Sequence, residues 1–287
     1  MTTISSVASQ PRSGLKGLSR RHPLLGMYGL LFLLTWPGLI LEALVSRGRI
    51  ASQPPLLLTL LTGWGPGIAA VTVSAVLAGR AGIQELLSRF LIWKVGVQWY
   101  LAAFFLMAAV ILGGIGLSVL FGGAVPHLPA AGASPVQILF AFAVAVLFGI
   151  LFNTEEMAWR GFALPRLQTK YGVLAGCLLL AIPECLVHLP YFWNRNIDFY
   201  QTVGPLWFTA FSVAAVFIYA FLFNKTRGSL LLVTVLHASQ NAWANLLSDN
   251  SLRPFQFTVA LMWMIAIALI FITKGRLGLE SRDEGQM

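Results

Sequence analysis

The segment 97–121 reads VQWYLAAFFLMAAVILGGIGLSVLF and contains no charged residue. An apolar run of this length can cross the hydrocarbon core of a bilayer as an α-helix, which needs about 20 residues. It does not have the pattern of a barrel strand, because its apolar residues do not alternate with polar ones. The segment therefore predicts a transmembrane helix.

Seven further segments have the same character, so the sequence predicts an all-α, polytopic integral membrane protein with about eight transmembrane helices. Helices satisfy their backbone hydrogen bonds internally, and lipid offers no other partners. Only 10% of the residues are charged and 57% are hydrophobic, whereas soluble domains carry roughly 25% charged residues. The other predicted spans are 24–46, 55–79, 136–158, 172–190, 204–223, 229–247 and 255–273.

The basic residues predict the orientation of these spans. A cytoplasmic N-terminus leaves Arg47, Arg49, Arg195 and Arg253 outside and puts the other 15 of the 19 Lys and Arg residues inside. Positive residues concentrate on the cytoplasmic side of membrane proteins. The net charge of +9 therefore needs no nucleic acid as a partner. We expect both termini in the cytoplasm, and the plasma or inner membrane as the location if the chain is prokaryotic.

The chain has no internal repeat and no linker that would divide it. We therefore expect one transmembrane domain at 23–273, a basic cytoplasmic tail at 1–22 and a second cytoplasmic tail at 274–287. Residues 1–22 are also rich in Ser and Arg and contain no acid, a composition that suits an organellar transit peptide as well. Cys177 and Cys185 fall within one predicted span, where we expect burial as small apolar residues rather than a disulfide.

Charged side chains inside the predicted spans are the first candidates for function. Even on a lenient scale, an ionised side chain at the centre of a membrane helix costs about 2.5–3.5 kcal/mol. Glu155, Glu156 and Arg160 form the pattern EExxxR where we expect the fourth helix to continue toward Pro165. Residues four apart share a helix face, whereas neighbours point about 100° apart. Arg160 can therefore neutralise Glu156 and leave Glu155 as a general base, although a purely structural ion-pair cluster is the alternative.

His237 and Asn241 are also four residues apart, in the seventh predicted span. Their N–H groups could both donate to an oxygen that becomes negative in a tetrahedral intermediate. Hydrogen bonding between helices is the alternative use of such residues in membranes.

His188 follows Glu184 by four residues near the end of the fifth predicted span. The Glu184 carboxylate could orient the imidazole or simply satisfy its hydrogen bonds, and a packed core histidine is the alternative interpretation. Two histidines with a carboxylate are also a donor set that zinc accepts. The helical HExxH pattern is absent, as are GxSxG and the P-loop, so zinc is not indicated and we expect no cofactor.

Three blocks in this order resemble the CAAX protease and bacteriocin-processing family of intramembrane proteases, which includes the Ras-converting CAAX endopeptidase. The blocks are EExxxR at 155–160, a histidine before Leu-Pro at 188, and HxxxN at 237–241. The resemblance covers roughly 136–247, which we take as the core that carries the motifs. One position departs from the pattern, because the family's second block usually reads FxxxH and the first position here is Glu184.

The resemblance implies a glutamate-dependent endopeptidase. By this likeness Glu155, helped by His188, would activate a water molecule, and His237 with Asn241 would form the oxyanion hole. Glu156 and Arg160, together with the unusual Glu184, would support the site. A carboxylate beside His188 could also change the role of the imidazole or mark a chain that no longer needs proteolysis.

We therefore expect an intramembrane endopeptidase that cleaves a membrane-associated or prenylated-type peptide in a polar cavity among spans four to seven. Its partners would be that substrate and the lipid bilayer. The main alternative is a catalytically silent scaffold or accessory subunit that binds a partner membrane protein. A small-molecule or ion transporter is a third interpretation, because intramembrane acids also mark proton pathways. No inverted repeat supports it.

Overall fold

The computed structural model describes residues 15–279, and every regular element in this range is helical. Three short helices of other types interrupt the α-helices, at Arg89–Leu91, Met157–Ala163 and Leu189–Trp193, and the second of these is a π-helix. The α-helices are α1 (Leu15–Arg21), α2 (Pro23–Ser46), α3 (Leu56–Ser88), α4 (Val97–Leu120), α5 (Pro135–Phe152), α6 (Leu164–Tyr171), α7 (Val173–Val187), α8 (Asp198–Lys225), α9 (Leu230–Leu247) and α10 (Leu252–Ile272).

Seven helical segments between residues 15 and 279 are long and apolar enough to cross a membrane. They correspond to α2, α3, α4, α5, α7, α8 and α10, so the prediction of an all-α polytopic membrane protein is confirmed. The remaining predicted span, 229–247, is the helix α9. Its composition is more polar because it contains His237, Gln240 and Asn241.

The expectation that the fourth span continues as one helix toward Pro165 is wrong. Helix α5 ends at Phe152, and Asn153 has extended backbone angles (φ −108°, ψ 105°). The side-chain Oδ1 of Asn153 accepts a hydrogen bond from the backbone N–H of Glu155 at 3.0 Å, which starts a new helical segment in the manner of an N-cap. The pattern EExxxR therefore lies at the start of a second helix rather than inside a continuous one.

Helix α3 holds this break in place. The hydroxyl of Thr154 donates to the carbonyl of Gly63 at 2.9 Å and accepts from the N–H of Gly67 at 2.8 Å. The backbone N–H of Thr154 also donates to the carbonyl of Gly63, at 3.0 Å. A Cβ atom on Gly67 would lie only 2.6 Å from the Thr154 hydroxyl, so glycine is required for this approach.

Two other helices are interrupted near the same region. Helix α7 ends at Val187, and His188 is its C-cap. Helix α8 begins at Asp198, earlier than the predicted 204, and has a non-helical Gly204 (φ 70°, ψ 167°) followed by Pro205. Because these irregular points replace regular helix inside the fold, polar groups can gather among α5, α7, α8 and α9.

The predicted domain boundaries at 23 and 273 and the side of the membrane on which the termini lie stay predictions. The two tails extend into residues 1–14 and 280–287, which lie outside the described residues. Within the described range, Cys177 is buried and Cys185 is half-buried, and neither forms a disulfide.

Candidate active site

One cavity of about 670 Å³ brings the three sequence blocks together. Its wall is formed by the break after α5, by the end of α7 and the segment after it, and by parts of α4, α8, α9 and α10 with the loop that joins the last two. A volume of this size holds many water molecules, because one water occupies about 30 Å³ of the liquid. All four predicted catalytic residues line it: Glu155, His188, His237 and Asn241.

Glu155 lines the cavity and, among residues 15–279, forms no salt bridge with a Lys or Arg side chain, although Arg160 is near enough to attract its charge. Its Oε2 accepts a hydrogen bond from the indole N–H of Trp159 at 3.1 Å. The carboxylate lies within range of charge interaction with both His188 and His237. The second carboxylate oxygen forms no hydrogen bond with any described residue, so it is available to a water molecule or a substrate.

His188 is oriented by backbone and by aromatic rings. Its Nδ1 lies 2.8 Å from the backbone carbonyl of Glu184. A carbonyl can only accept, so Nδ1 carries the proton and, in the neutral ring, Nε2 keeps its lone pair. The ring centroid lies 5.0 Å from that of Phe208 and 5.9 Å from that of Tyr191.

The expected pairing of the Glu184 carboxylate with His188 is wrong. The Glu184 side chain instead reaches Arg160, with 3.0 Å between Oε1 and Nη1, while its backbone carbonyl binds the histidine. The carboxylate pairs with Arg160 because a buried negative charge is stabilised more by a charged guanidinium than by a neutral imidazole. Glu184 therefore contacts His188 through its backbone carbonyl, while its carboxylate pairs with Arg160.

Arg160 pairs with two carboxylates in the interior. Its Nη1 also lies 3.2 Å from Oε1 of Glu156, which is the pair that the four-residue spacing predicted. Arg160 is 0% exposed and Glu156 is 2% exposed. The guanidinium also lies over the ring of Tyr219, 4.7 Å from its centroid. These residues form a charge cluster beneath the cavity, with Glu156, Arg160 and Glu184 as its members.

Both ring nitrogens of His237 are engaged, which differs from the expectation of a free donor. Its Nδ1 lies 2.9 Å from Oε1 of Glu156, and its Nε2 lies 3.3 Å from Nδ2 of Asn153. Asn241, one turn further along α9, is exposed and lines the cavity. The structure therefore places both residues in the site but leaves the amide of Asn241 as the accessible donor.

Several residues at the site were missed at the sequence level: Asn153, Trp159, Tyr219 and Gln240. Trp159 follows Glu155 by four residues, so helical spacing could have indicated it. Gln240 accepts a hydrogen bond from the Tyr219 hydroxyl at 3.0 Å, a contact between two helices that no local spacing reports. Asn153 precedes the motif and acts only because the helix breaks there.

The cavity has an aromatic wall and an acidic character. None of the described residues that line it is Lys or Arg, although the chain has 19 of them. The acids in the lining are Glu155, Glu184, Asp198 and Asp249, and the aromatic wall consists of Tyr191, Phe199, Tyr200, Phe208, Phe211 and Phe255. Within residues 15–279, no group of three His, Cys, Asp or Glu side chains is placed to hold a metal ion.

Comparison with known proteins agrees with this arrangement. Residues 134–243 match the family model of the type II CAAX prenyl endopeptidase Rce1-like proteins. This part of the chain is similar to the Rce1-like family. A curated relative, CAAX prenyl protease 2 of Methanococcus maripaludis, is 27% identical over 222 residues, which cover 73% of this chain and 80% of the relative.

The matched segment of the Rce1-like family runs from the start of α5 into α9, and it includes every side chain that we assigned to the site at the sequence level. The protein is therefore an integral, multi-pass membrane peptidase. The family supports an intramembrane endopeptidase that acts on a membrane-associated peptide.

Proposed function

We propose that the cavity hydrolyses a peptide bond of a membrane-associated substrate by means of a water molecule that Glu155 activates with the help of His188. The observation that carries this proposal is the shared cavity, since three separate stretches of chain contribute Glu155, His188 and Asn241 to its wall. Water inside the bilayer is what hydrolysis requires, and a wide polar cavity supplies the room for it.

The Glu155 carboxylate and the His188 imidazole each have one acceptor atom that no described residue binds. Glu155 has one oxygen held by Trp159 and one oxygen that no described residue binds. His188 has Nδ1 held by a carbonyl, so Nε2 can accept a proton. A water molecule that contacts both groups would lose a proton to one of them as its oxygen attacks the peptide carbonyl.

The developing negative oxygen needs hydrogen-bond donors on the other side of the carbonyl carbon. We assign this oxyanion hole to the accessible amide of Asn241. The family resemblance implies His237 as a second donor, but both ring nitrogens of His237 already have partners. Preorganised donors of this kind stabilise the transition state because they are in place before the charge appears. The charge cluster of Glu156, Arg160 and Glu184 would support the site from below by fixing the helices that carry these groups.

The lining of the cavity bears on the substrate. The name of the relative describes a protease of prenylated CAAX sequences, and we propose a prenylated-type or otherwise membrane-anchored peptide for this chain. The aromatic wall suits apolar side chains. A lining with acids and without Lys or Arg favours a neutral or basic peptide segment over one that brings a carboxylate next to Glu155.

The test is cleavage of a lipidated peptide with an amidated C-terminus by purified protein in proteoliposomes. Glu155→Gln is expected to lower the turnover by about 10²–10⁴-fold, the range of a general base. The matched control is Glu85→Gln, because the Glu85 side chain is 73% exposed and does not line the cavity. Both variants should keep the thermal stability of the wild type, and a chelator should leave wild-type turnover unchanged.

Undiminished turnover of Glu155→Gln would reject the proposal. If wild type and variant both bound a stable membrane-protein partner and neither cleaved peptide, the scaffold interpretation would replace it.

A further inference from the structure

The hydrogen bonds around His237 define its protonation. We propose that Asn153 is a positioning residue that holds His237 as the neutral tautomer with its proton on Nδ1. In this state Nε2 is an acceptor, so the imidazole presents no N–H to an oxyanion. The consequence for the oxyanion hole rests on the proposed function, whereas the tautomer itself does not.

The orientation of the Asn153 carboxamide is the first step of the argument. Oxygen and nitrogen of an amide are assigned from their hydrogen-bond partners. The backbone N–H of Glu155 can only donate, and it lies 3.0 Å from Oδ1 of Asn153. That atom must therefore be the oxygen. The other end of the carboxamide, which faces His237, is the NH₂ group.

The NH₂ group of Asn153 determines the protonation of Nε2 of His237. Nδ2 lies 3.3 Å from Nε2 of His237. An NH₂ group has no acceptor capacity, so Nε2 must accept and cannot carry a proton in this arrangement. Asn153 therefore fixes Nε2 of His237 as a hydrogen-bond acceptor.

Glu156 determines the protonation of Nδ1 of His237. Its Oε1 lies 2.9 Å from Nδ1 of His237 and 3.2 Å from Nη1 of Arg160. A carboxylate oxygen that binds a guanidinium is an acceptor, so Nδ1 of His237 donates. The other charged or titratable groups that face His237 are Glu155 and Arg160, on the same segment as Glu156, and Tyr219 of α8, whose ring centroid is 6.0 Å away.

The donors of the oxyanion hole are then carboxamides. Asn241 lines the cavity one turn beyond His237. Gln240 lines it too, and the Tyr219 hydroxyl occupies its Oε1, so the amide NH₂ of Gln240 is the end that remains for other partners. Glu156 holds a proton on Nδ1 of His237, and the NH₂ group of Asn153 keeps Nε2 unprotonated. A second N–H beside Glu155 would compete with water for the carboxylate.

The experiment is ¹⁵N NMR of histidine-labelled, full-length protein in nanodiscs at neutral pH. The chain has four histidines, and His237→Gln assigns the relevant signals. We expect Nδ1 of His237 to be protonated and Nε2 to be unprotonated in the wild type. Asn153→Asp keeps the oxygen that accepts from Glu155 but replaces the NH₂ group by a second acceptor. Both ring nitrogens of His237 should therefore be protonated in this variant.

Asn194→Asp is the matched control. Oδ1 of Asn194 accepts from the N–H of Asn196 at 3.0 Å, the same two-residue turn that Asn153 makes with Glu155, and no hydrogen bond joins it to His237. This variant should leave the His237 signals unchanged. In the peptide assay, Asn153→Asp should lower kcat by roughly tenfold and alter the pH profile with KM nearly constant, whereas Asn194→Asp should change none of these.

A protonated Nε2 in the wild type would overturn the proposal, and so would His237 signals that are identical in wild type and Asn153→Asp. The wild-type spectrum decides the matter even if the aspartate variant does not fold. Because the spectrum needs no substrate, its outcome is separate from that of the proposed function. A protein that cleaves no peptide but shows the expected tautomer would reject only the hydrolase proposal.

Discussion

The polar residues of this membrane protein form two regions that differ in their access to water. The cavity wall contains Glu155, His188 and Asn241, each with an atom that no described residue occupies. The charge cluster contains Arg160 and Glu156, which are 0% and 2% exposed, and Glu184, which pairs with Arg160 and also reaches the cavity wall. A charge within a membrane protein either meets water or is paired, and these two regions represent the two solutions.

Glu155 and Glu156 show how sharply the regions are separated. They are adjacent in the chain, yet the first binds an indole at the cavity and the second binds a guanidinium and an imidazole in the interior. The helical rotation of about 100° between neighbours produces this division. The comparison teaches that one motif can supply both a reactive group and the structure beneath it.

The largest expected effect is on stability and follows from removing Arg160, the cation that Glu156 and Glu184 share. Arg160→Met would remove the guanidinium that Glu156 and Glu184 share and would leave Glu156 with only His237. Breaking a buried pair in this way costs about 3–5 kcal/mol. The free energy of unfolding, measured by reversible denaturation in mixed micelles, should fall by that amount. Arg89→Met is the control, because Arg89 pairs with the exposed Glu85 at 3.6 Å and such a pair is worth about 0–1 kcal/mol. Equal losses in both variants would show that the interior cluster has no special role in stability.

The next effect concerns the cavity wall and should separate activity from stability. Asn241→Leu removes the accessible amide, so we expect kcat/KM for peptide cleavage to fall by about 10²–10³-fold, as for other oxyanion donors. The melting temperature should stay near that of the wild type, because no hydrogen bond joins the Asn241 side chain to another described residue. Asn245→Leu is the control, since Asn245 is also exposed and lines the cavity one turn away. If both variants lost activity equally, Asn241 would have no particular role at the reacting carbonyl.

The smallest expected effect comes from disturbing the helix break at Asn153 and Thr154, which precedes Glu155 and Glu156 in the chain. Gly67→Ala would place a Cβ atom 2.6 Å from the Thr154 hydroxyl and 3.2 Å from the Met157 sulfur. We expect a loss of about 1–3 kcal/mol in the free energy of unfolding, the usual cost of overpacking, together with slower cleavage. Gly116→Ala in α4 has open space at the same position and serves as the control. It should be neutral or slightly stabilising, because Ala has a higher helix propensity than Gly. A Gly67→Ala variant as stable and active as wild type would mean that α3 does not hold the break.

Much of the site could be predicted from short spacings. The four-residue spacing from Glu156 to Arg160 correctly predicted their ion pair. The ordered blocks at 155–160, 188 and 237–241 correctly indicated the family whose model matches residues 134–243. The same reasoning failed for Glu184, because its carboxylate had two partners within reach and only the fold shows that Arg160 is the nearer one. The roles of these residues in the reaction stay proposals until the variants are measured.

By itself, the sequence determined that the chain lies in a membrane as a bundle of apolar helices, since hydrophobicity and length are local properties that lipid selects directly. Only the tertiary structure decided where the fourth span breaks and which polar groups face water. Those choices depend on contacts between segments far apart in the chain, such as Thr154 with Gly63 and Gly67, or Asn153 with His237. A hydrogen bond across helices leaves no periodic trace in either of the segments that it joins.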